Sequence, residues 1–280
     1  MIYALILAGG KGTRLYPLSR MNKPKQFLKV INNKSFLENT VERITPLINK
    51  DNIYVVTNTD YLDKIKKELS YINSDNIFTE PSNKETATCI GLSAVKLLKK
   101  DNNAVMVVLP SDHHIKGEKE YTDTLLEAIE LANRRRGIVT IGITPTRPET
   151  GYGYIEMGDR LQSSAGAYKI SRFTEKPNIE VAKDFLLKET YLWNSGIFVF
   201  RADVILREME KYLPKIYKSL MEIYVHIGED DEEEVIKEQY NLIDGISFDG
   251  YEKFTSLIES KNYTIEEVVC SSVPICMDIV

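Results

Sequence analysis

Three glycines and two cations, with no acid among them, stand in the stretch AGGKGTR at Ala8 to Arg14, directly after the apolar run Ile2 to Leu7. Glycines let backbone N–H groups approach an anion with no Cβ in the way, and a concave turn of that kind binds phosphate. Arg14, together with Lys25 of NKPKQF, adds fixed positive charge suited to a chain of phosphates. Two common phosphate motifs fail on spacing. Leu15 stands where G-x-G-x-x-G needs its third glycine, and no GK[ST] closes a Walker loop. A dinucleotide-dependent oxidoreductase is disfavoured on that ground. Asp112, in PSDHHI after a second apolar run, reads by position alone as a helix cap. His113 and His114 are adjacent, and neighbours on an extended chain point opposite ways, so they make a poor joint metal site. Cys89, Cys270 and Cys276 have neither the number nor the spacing of a disulfide framework or zinc knuckle, and read as small core hydrophobes in a reducing compartment.

The elements that must position these groups are legible as short apolar runs: Tyr3 to Leu7, Ile53 to Thr57, Ala104 to Pro110 and Ile138 to Ile143. Their unbroken hydrophobicity, without alternation, predicts strands of a parallel sheet buried on both faces. Helical patterns at Tyr61 to Leu69, Thr86 to Lys99 and Tyr121 to Arg135 lie between them, which predicts right-handed βαβ units and an α/β fold. Arg134 to Arg136 complement the negative end of the last of these helices, and Gly137 is expected in the left-handed position after it. Past Ile143, GYGYIEM and GAYKISRFTEKP predict two strands of a small antiparallel excursion. NIEVAKDFLLK, ADVILREMEKYL and PKIYKSLMEIYVHI then return to helical periodicity, and the acids of Glu229 to Glu234 read as a solvated helix start. The net charge of −5 excludes a general nucleic-acid binder, which needs a dominant basic surface. No stretch is long and apolar enough to span a bilayer and no leader pattern opens the chain, so the expected compartment is the cytoplasm, with neither membrane nor nucleic acid as partner.

The string LILAGGKGTRLYPLSRMNKPKQFL closely resembles the signature L-A-G-G-x-G-T-R-L-x-P-L-(x)n-P-K of the sugar-1-phosphate nucleotidyltransferases. Its Ser-Arg and Pro-Lys-Gln-Phe details are similar to the mannose-1-phosphate guanylyltransferases. EPSNKETA, LPSDHHI, TPTRPETGYGYI, FTEKP and WNSGIFVF follow in family order, and the resemblance covers roughly Ile2 to Asp249. It implies a Rossmann-like nucleotidyltransferase fold over residues 1–249, with 250–280 a C-terminal segment that departs from the family, either by natural divergence or by shortening.

The resemblance also implies roles. Leu7, Ala8, Gly9, Gly10, Gly12, Thr13 and Arg14 would wrap the triphosphate of GTP, and Pro81, Ser82, Thr86, Ala87 and Ser111 would complete the nucleotide side. Arg14, Lys25 and Asp112 would be catalytic, with Asp112 the Mg²⁺ ligand. Tyr152, Gly153, Glu175, Lys176 and Asn194 would surround mannose 1-phosphate, and Trp193 would pack beside that site. The implied product is GDP-mannose. The subgroup normally carries its second metal acid in a Trp-x-Asp motif; here no Trp follows ISFD, and the resemblance identifies no second ligand. Another sugar-1-phosphate nucleotidyltransferase and a catalytically impaired nucleotide-sugar-binding subunit are the alternatives, and a homodimer is compatible with each.

Overall fold

A computed structural model describes residues 1–10, 18–20, 24–29, 32–82, 85–161, 166–243 and 267–271, the last five in backbone, as for Glu85. The chain opens with β1 (Ile2–Leu7), a short 3₁₀ turn (Lys25–Phe27), α1 (Phe36–Ile44), β2 (Ile53–Thr57), α2 (Leu62–Glu68), β3 (Ile77–Thr79), α3 (Glu85–Lys100), β4 (Val105–Pro110), α4 (Glu118–Arg135) and β5 (Val139–Ile143). It continues with β6 (Tyr154–Arg160), β7 (Ala167–Thr174), α5 (Ile179–Lys188), β8 (Tyr191–Arg201), α6 (Ala202–Tyr212), α7 (Pro214–His226), α8 (Glu232–Leu242) and β9 (Glu267–Ser271).

Among the described residues the strands form one nine-stranded sheet in the order β3-β2-β1-β4-β8-β5-β9-β7-β6. β3, β2, β1 and β4 are parallel, and β8 is inserted antiparallel between β4 and β5. β5 therefore keeps the direction of β4 without touching it. β8 outgrows its partner: Phe198 to Arg201 pair with β4, whereas Tyr191 to Trp193 pair with β6. Because β6 pairs with β7, β7 with β9 and β9 with β5, the far half of the sheet curls into a closed ring, β8-β5-β9-β7-β6-β8. β9 thus lies between β5 and β7, parallel to the first from Val139↔Glu267 to Ile143↔Ser271.

Two apolar layers explain the unbroken hydrophobic strands. Ala4 and Ile6 of β1 join Val107 and Leu109 of β4 in a core with α1, α2 and α4. Tyr3, Leu5, Met106 and Val108 join the opposite core, with α3, α6, α7 and α8. Both faces are covered, so no polar alternation is needed. Local signals set the helix ends. Ser35 accepts from the Glu38 N–H and Glu38 reaches back to the Ser35 N–H, a reciprocal cap that starts α1. Pro214 opens α7, and Glu232 to Glu234 occupy the first turn of α8. One expectation is corrected: Arg136, with φ 56°, takes the left-handed position after α4, not Gly137. The Arg136 N–H closes the last helical bond to the Ala132 carbonyl, which brings the reversal one residue earlier, and its guanidinium pairs with Asp203.

α3 meets α6 and α7 at a point where no side chain fits. A Cβ at Gly91 would collide with Leu220 Cδ1 and stand 3.1 Å from Met209 Sδ, both residues being buried. Gly91→Val is expected to cost about 1–3 kcal/mol by overpacking, read as a fall of about 2–4 °C in Tm per kcal/mol. Gly91→Ala should cost less, since its gain in helix propensity offsets part of the crowding.

A second expectation concerns Glu80, just after β3. Burial raises its carboxyl to about 7, while hydrogen bonds from Tyr240 and Cys89 pull the other way. The folded chain therefore binds more protons here than the unfolded chain between the ordinary carboxyl value and about 7. This contribution to stability is full below that window and is lost as pH rises through about 7. In urea titrations at pH 5 and pH 8, Glu80→Gln should lose less stability between the two than the unsubstituted protein; equal losses would refute the assignment.

Candidate active site

The C-terminal ends of the parallel strands form one edge of the sheet, where open α/β sheets place ligands. Leu7 pairs with Val56 on one side and Pro110 on the other, so the chain leaving β1 enters a slot between β2 and β4. The Ala8 N–H continues the ladder to Val56 O at 2.8 Å. Its carbonyl accepts from Gln26 Nε2 at 2.8 Å and Thr57 Oγ1 at 3.2 Å, and Asn58 Nδ2 donates to Gly9 O at 3.3 Å. Side chains thus hold the carbonyls of Ala8 and Gly9. Gly12, Thr13 and Arg14, assigned to the triphosphate from sequence, lie outside the described residues.

The 3₁₀ turn at Lys25–Phe27 packs under this slot, with Gln26 and Phe27 buried. It delivers Lys25 to Gly10, whose Cβ would stand 3.5 Å from Lys25 Cε, and to Asp112, whose Oδ2 accepts from Lys25 Nζ. Burial works against the charged form of Asp112. The Lys25 ammonium outweighs it and holds the carboxyl below the usual aspartate range. Asp112 does not cap α4, which starts at Gly117 with no side-chain cap. Burial pushes His113 down to about 4, and its Nδ1 has no hydrogen-bond partner, so a neutral imidazole stands beside the anion. Arg43 of α1 ties this loop down, donating from Nη2 to the His113 carbonyl at 3.3 Å while its guanidinium lies over Tyr121.

The other nucleotide-side residues follow along the same edge. Ser111 is buried beside Asp112. Pro81 is exposed and Ser82 half-buried, with its Oγ unpartnered; Thr86 and Ala87 sit in the first turn of α3. Glu80 N–H donates to Thr57 O at 3.3 Å, which sets this segment against the end of β2.

The residues assigned to the sugar phosphate converge at the mouth of the strand ring. The Asn194 N–H donates to Gly153 O at 2.8 Å. A Cβ at Gly153 would lie 2.6 Å from Phe173 Cζ and 2.8 Å from Glu175 Oε2, so glycine is the residue that lets Glu175 come this close. Glu175 in turn pairs with Lys176, which is held at φ 40°, an uncommon position for a side-chain-bearing residue. Tyr152 meets the buried Trp193 edge-on at 5.4 Å, with Arg147 over the same indole. Trp193 therefore packs beside the site. The two halves touch along the β4–β8 seam: a Cβ at Gly196 would be 3.5 Å from Pro110 Cγ, immediately before Ser111 and Asp112.

Sequence reasoning did not single out Gln26, Arg43, Asn58, Glu80 or Thr140. Each acts through a contact distant in the chain, and the signal that finds the edge residues among them is position: the last residue of a buried strand, or the next one. Among the described residues no three His, Cys, Asp or Glu come together as a metal cluster, and no helix is long and apolar enough to cross a membrane.

The profile of the nucleotidyl transferase family matches residues 3–240. A mannose-1-phosphate guanylyltransferase from Salmonella montevideo is 42% identical over 225 residues, covering 78% of this chain and 47% of the relative. One from Escherichia coli is 39% identical over 233 residues, 81% of this chain and 50% of the relative. The chain spans about half the length of the curated relatives it matches. Among solved structures, one described as a mannose-1-phosphate geranyltransferase from Thermus thermophilus superposes with a TM-score of 0.82 at 30% identity, covering 98% of this chain and 75% of the other. Another, described as a mannose-6-phosphate isomerase from Helicobacter pylori, gives 0.71 at 28% identity and 98% coverage of both. Matched to that profile over most of its length, the chain belongs to the nucleotidyl transferase family.

Proposed function

We propose that the chain transfers a guanylyl group from GTP to α-D-mannose 1-phosphate, giving GDP-mannose and pyrophosphate. The observation that carries this reading is the Lys25–Asp112 pair, set beside Gly10 on one side and just past Pro110, which meets Gly196 across the β4–β8 seam, on the other. The names of the relatives supply the base and the sugar.

An oxygen of the sugar phosphate attacks the α-phosphorus of the triphosphate, the new P–O bond forms, and the bond to the leaving pyrophosphate breaks in line. No group of the protein becomes covalently attached. The work left to the chain is to align two polyanions and to offset charge on the five-coordinate phosphorus. Gly9 and Gly10 give the phosphates access to backbone; Lys25, with Arg14, supplies fixed positive charge. Glu175 and Asn194 hydrogen-bond the sugar, and Lys176 turns from Glu175 toward the acceptor phosphate. Asp112, kept ionised, is a hard oxygen ligand, and Mg²⁺ is characteristically held by one or two carboxylates with phosphate oxygens completing its shell. A single carboxylate at a phosphate site fits that ion; Asp249 and Asp278 lie outside the described residues. When bound, Mg²⁺ supplies neutralisation of phosphate charge. Pairing of Lys25 with Asp112 keeps that oxygen ionised and ordered before any ligand arrives.

Pyrophosphate release across a panel of nucleoside triphosphates and sugar 1-phosphates should peak with GTP and mannose 1-phosphate. A peak elsewhere moves the assignment within the family, and GDP-mannose binding without turnover under any divalent metal identifies a non-catalytic binding subunit. Lys25→Ala should lower kcat by about 10²–10³-fold with an unchanged circular dichroism spectrum; near-normal turnover removes Lys25 from the mechanism. Asp112→Asn should lose turnover at every Mg²⁺ concentration, and recovery at high Mg²⁺ would show that Asp112 only tunes affinity.

A further inference from the structure

Between Thr140 and Gly142 the pairing of β5 with β8 breaks register: Thr140 faces Phe198, but Gly142 faces Asn194. The residues left over on β8 form a bulge whose hydrogen bonds are made by side chains. Ser195 Oγ donates to Ile141 O at 2.7 Å and accepts from the Ile197 N–H at 3.1 Å. Inside the same bulge Asn194 Oδ1 accepts from the Gly196 N–H at 3.1 Å and from Thr140 Oγ1 at 3.1 Å. Thr140 is buried, and its hydroxyl is shared with Ile197 O at 2.9 Å.

Oxygen and nitrogen of an asparagine amide look alike in shape, so its orientation has to come from its partners. A backbone N–H can only donate, and the atom 3.1 Å from the Gly196 N–H is therefore the oxygen. With Oδ1 fixed inward, Nδ2 is the outward end of a half-exposed side chain, and among the described residues nothing accepts from it. Asn194 stands beside Gly153 and near Glu175. Glu175 brings acceptor oxygens and Asn194 brings donors, so the subsite has a built polarity.

We infer that the Gly196 N–H sets the Asn194 amide with its NH₂ toward the acceptor sugar and that Thr140 is a positioning residue whose hydroxyl holds it there, so that this subsite takes a ligand oxygen acting as hydrogen-bond acceptor. The inference rests on the reading of Asn194 as a sugar-side residue. It adds what sequence could not: which end of the amide is presented, and which buried hydroxyl holds it in place.

The test is steady-state KM for mannose 1-phosphate at saturating GTP in the full chain. Thr140→Val should raise it by about 2–12-fold, the loss of one hydrogen bond, with KM for GTP unchanged. Thr140→Ser, which keeps the hydroxyl, should restore it. A purely structural role for Thr140 would move both KM values and Tm together. Asn194→Ala should raise KM for mannose 1-phosphate, and Asn194→Asp should raise it further, because an oxygen replaces the presented donor. That order does not depend on how well Thr140→Val folds. Unchanged KM in Thr140→Val beside a raised KM in Asn194→Ala overturns the inference alone, as does Asn194→Asp outperforming Asn194→Ala. Unchanged KM in Asn194→Ala overturns the sugar-side reading, and the inference with it.

Discussion

The ion pair between Lys25 and Asp112 joins parts of the chain 87 residues apart at a place where neither charge is well hydrated. A carboxylate partly withdrawn from water is disfavoured unless a cation stands beside it. The rest of the donor side can be read as the means of bringing that cation. The 3₁₀ turn buries Gln26 and Phe27 as its anchor, and the Gln26 amide donates to the Ala8 carbonyl, so the chain leaving β1 and the lysine are held by one small element. On the carboxylate side Arg43 and the neutral His113 fix the loop without adding a second negative charge. On the proposed function, a polyanion entering here meets a carboxylate already balanced by Lys25.

Sheet topology decides where the partner half can stand. A purely parallel sheet would have placed β5 next to β4 and left no room beside Asp112. Inserting β8 antiparallel instead carries the Asn194 bulge along the seam from Pro110, and the surplus length of β8 recruits β6 to close the ring. Position along one long strand, Tyr191 to Arg201, therefore sets the spacing between the two sides of the site.

The legibility of this arrangement in the sequence follows the range of the forces involved. Strands buried on both faces announce themselves as apolar runs, and Ile53 to Thr57 is read with its observed limits. β3 escapes because three residues on a sheet edge carry no periodicity. α1 escapes as well, although Ser35 and Glu38 form a capping box that residue spacing alone can reveal. β9 is set by pairing with β5 and β7, which no local pattern encodes. At the site, the family string names the residues that touch ligand in its members. It is silent on Gln26, Asn58 and Thr140 as supports, whose contacts span 18, 49 and 54 positions. Arg136 shows the converse failure: glycine is the usual left-handed residue, yet the closing bond to Ala132 and the pair with Asp203 fix an arginine there.

The two halves solve different recognition problems with different parts of the chain. On the proposed function, a triphosphate is met at strand ends, where backbone at Gly9 and Gly10 and a few cations suffice, since phosphate oxygens differ little from one another. A sugar presents several hydroxyls, each both donor and acceptor, and discrimination requires groups whose polarity cannot rotate. Side chains tied into a bulge meet that need. The Gly196 N–H cannot change from donor to acceptor, so the polarity it imposes on Asn194 is as durable as the backbone itself. Glu175, admitted by the missing Cβ of Gly153, supplies the complementary sign. On the proposed function, specificity for the sugar is in this sense a property of the β5–β8 register, and the irregularity in that register is what makes it available.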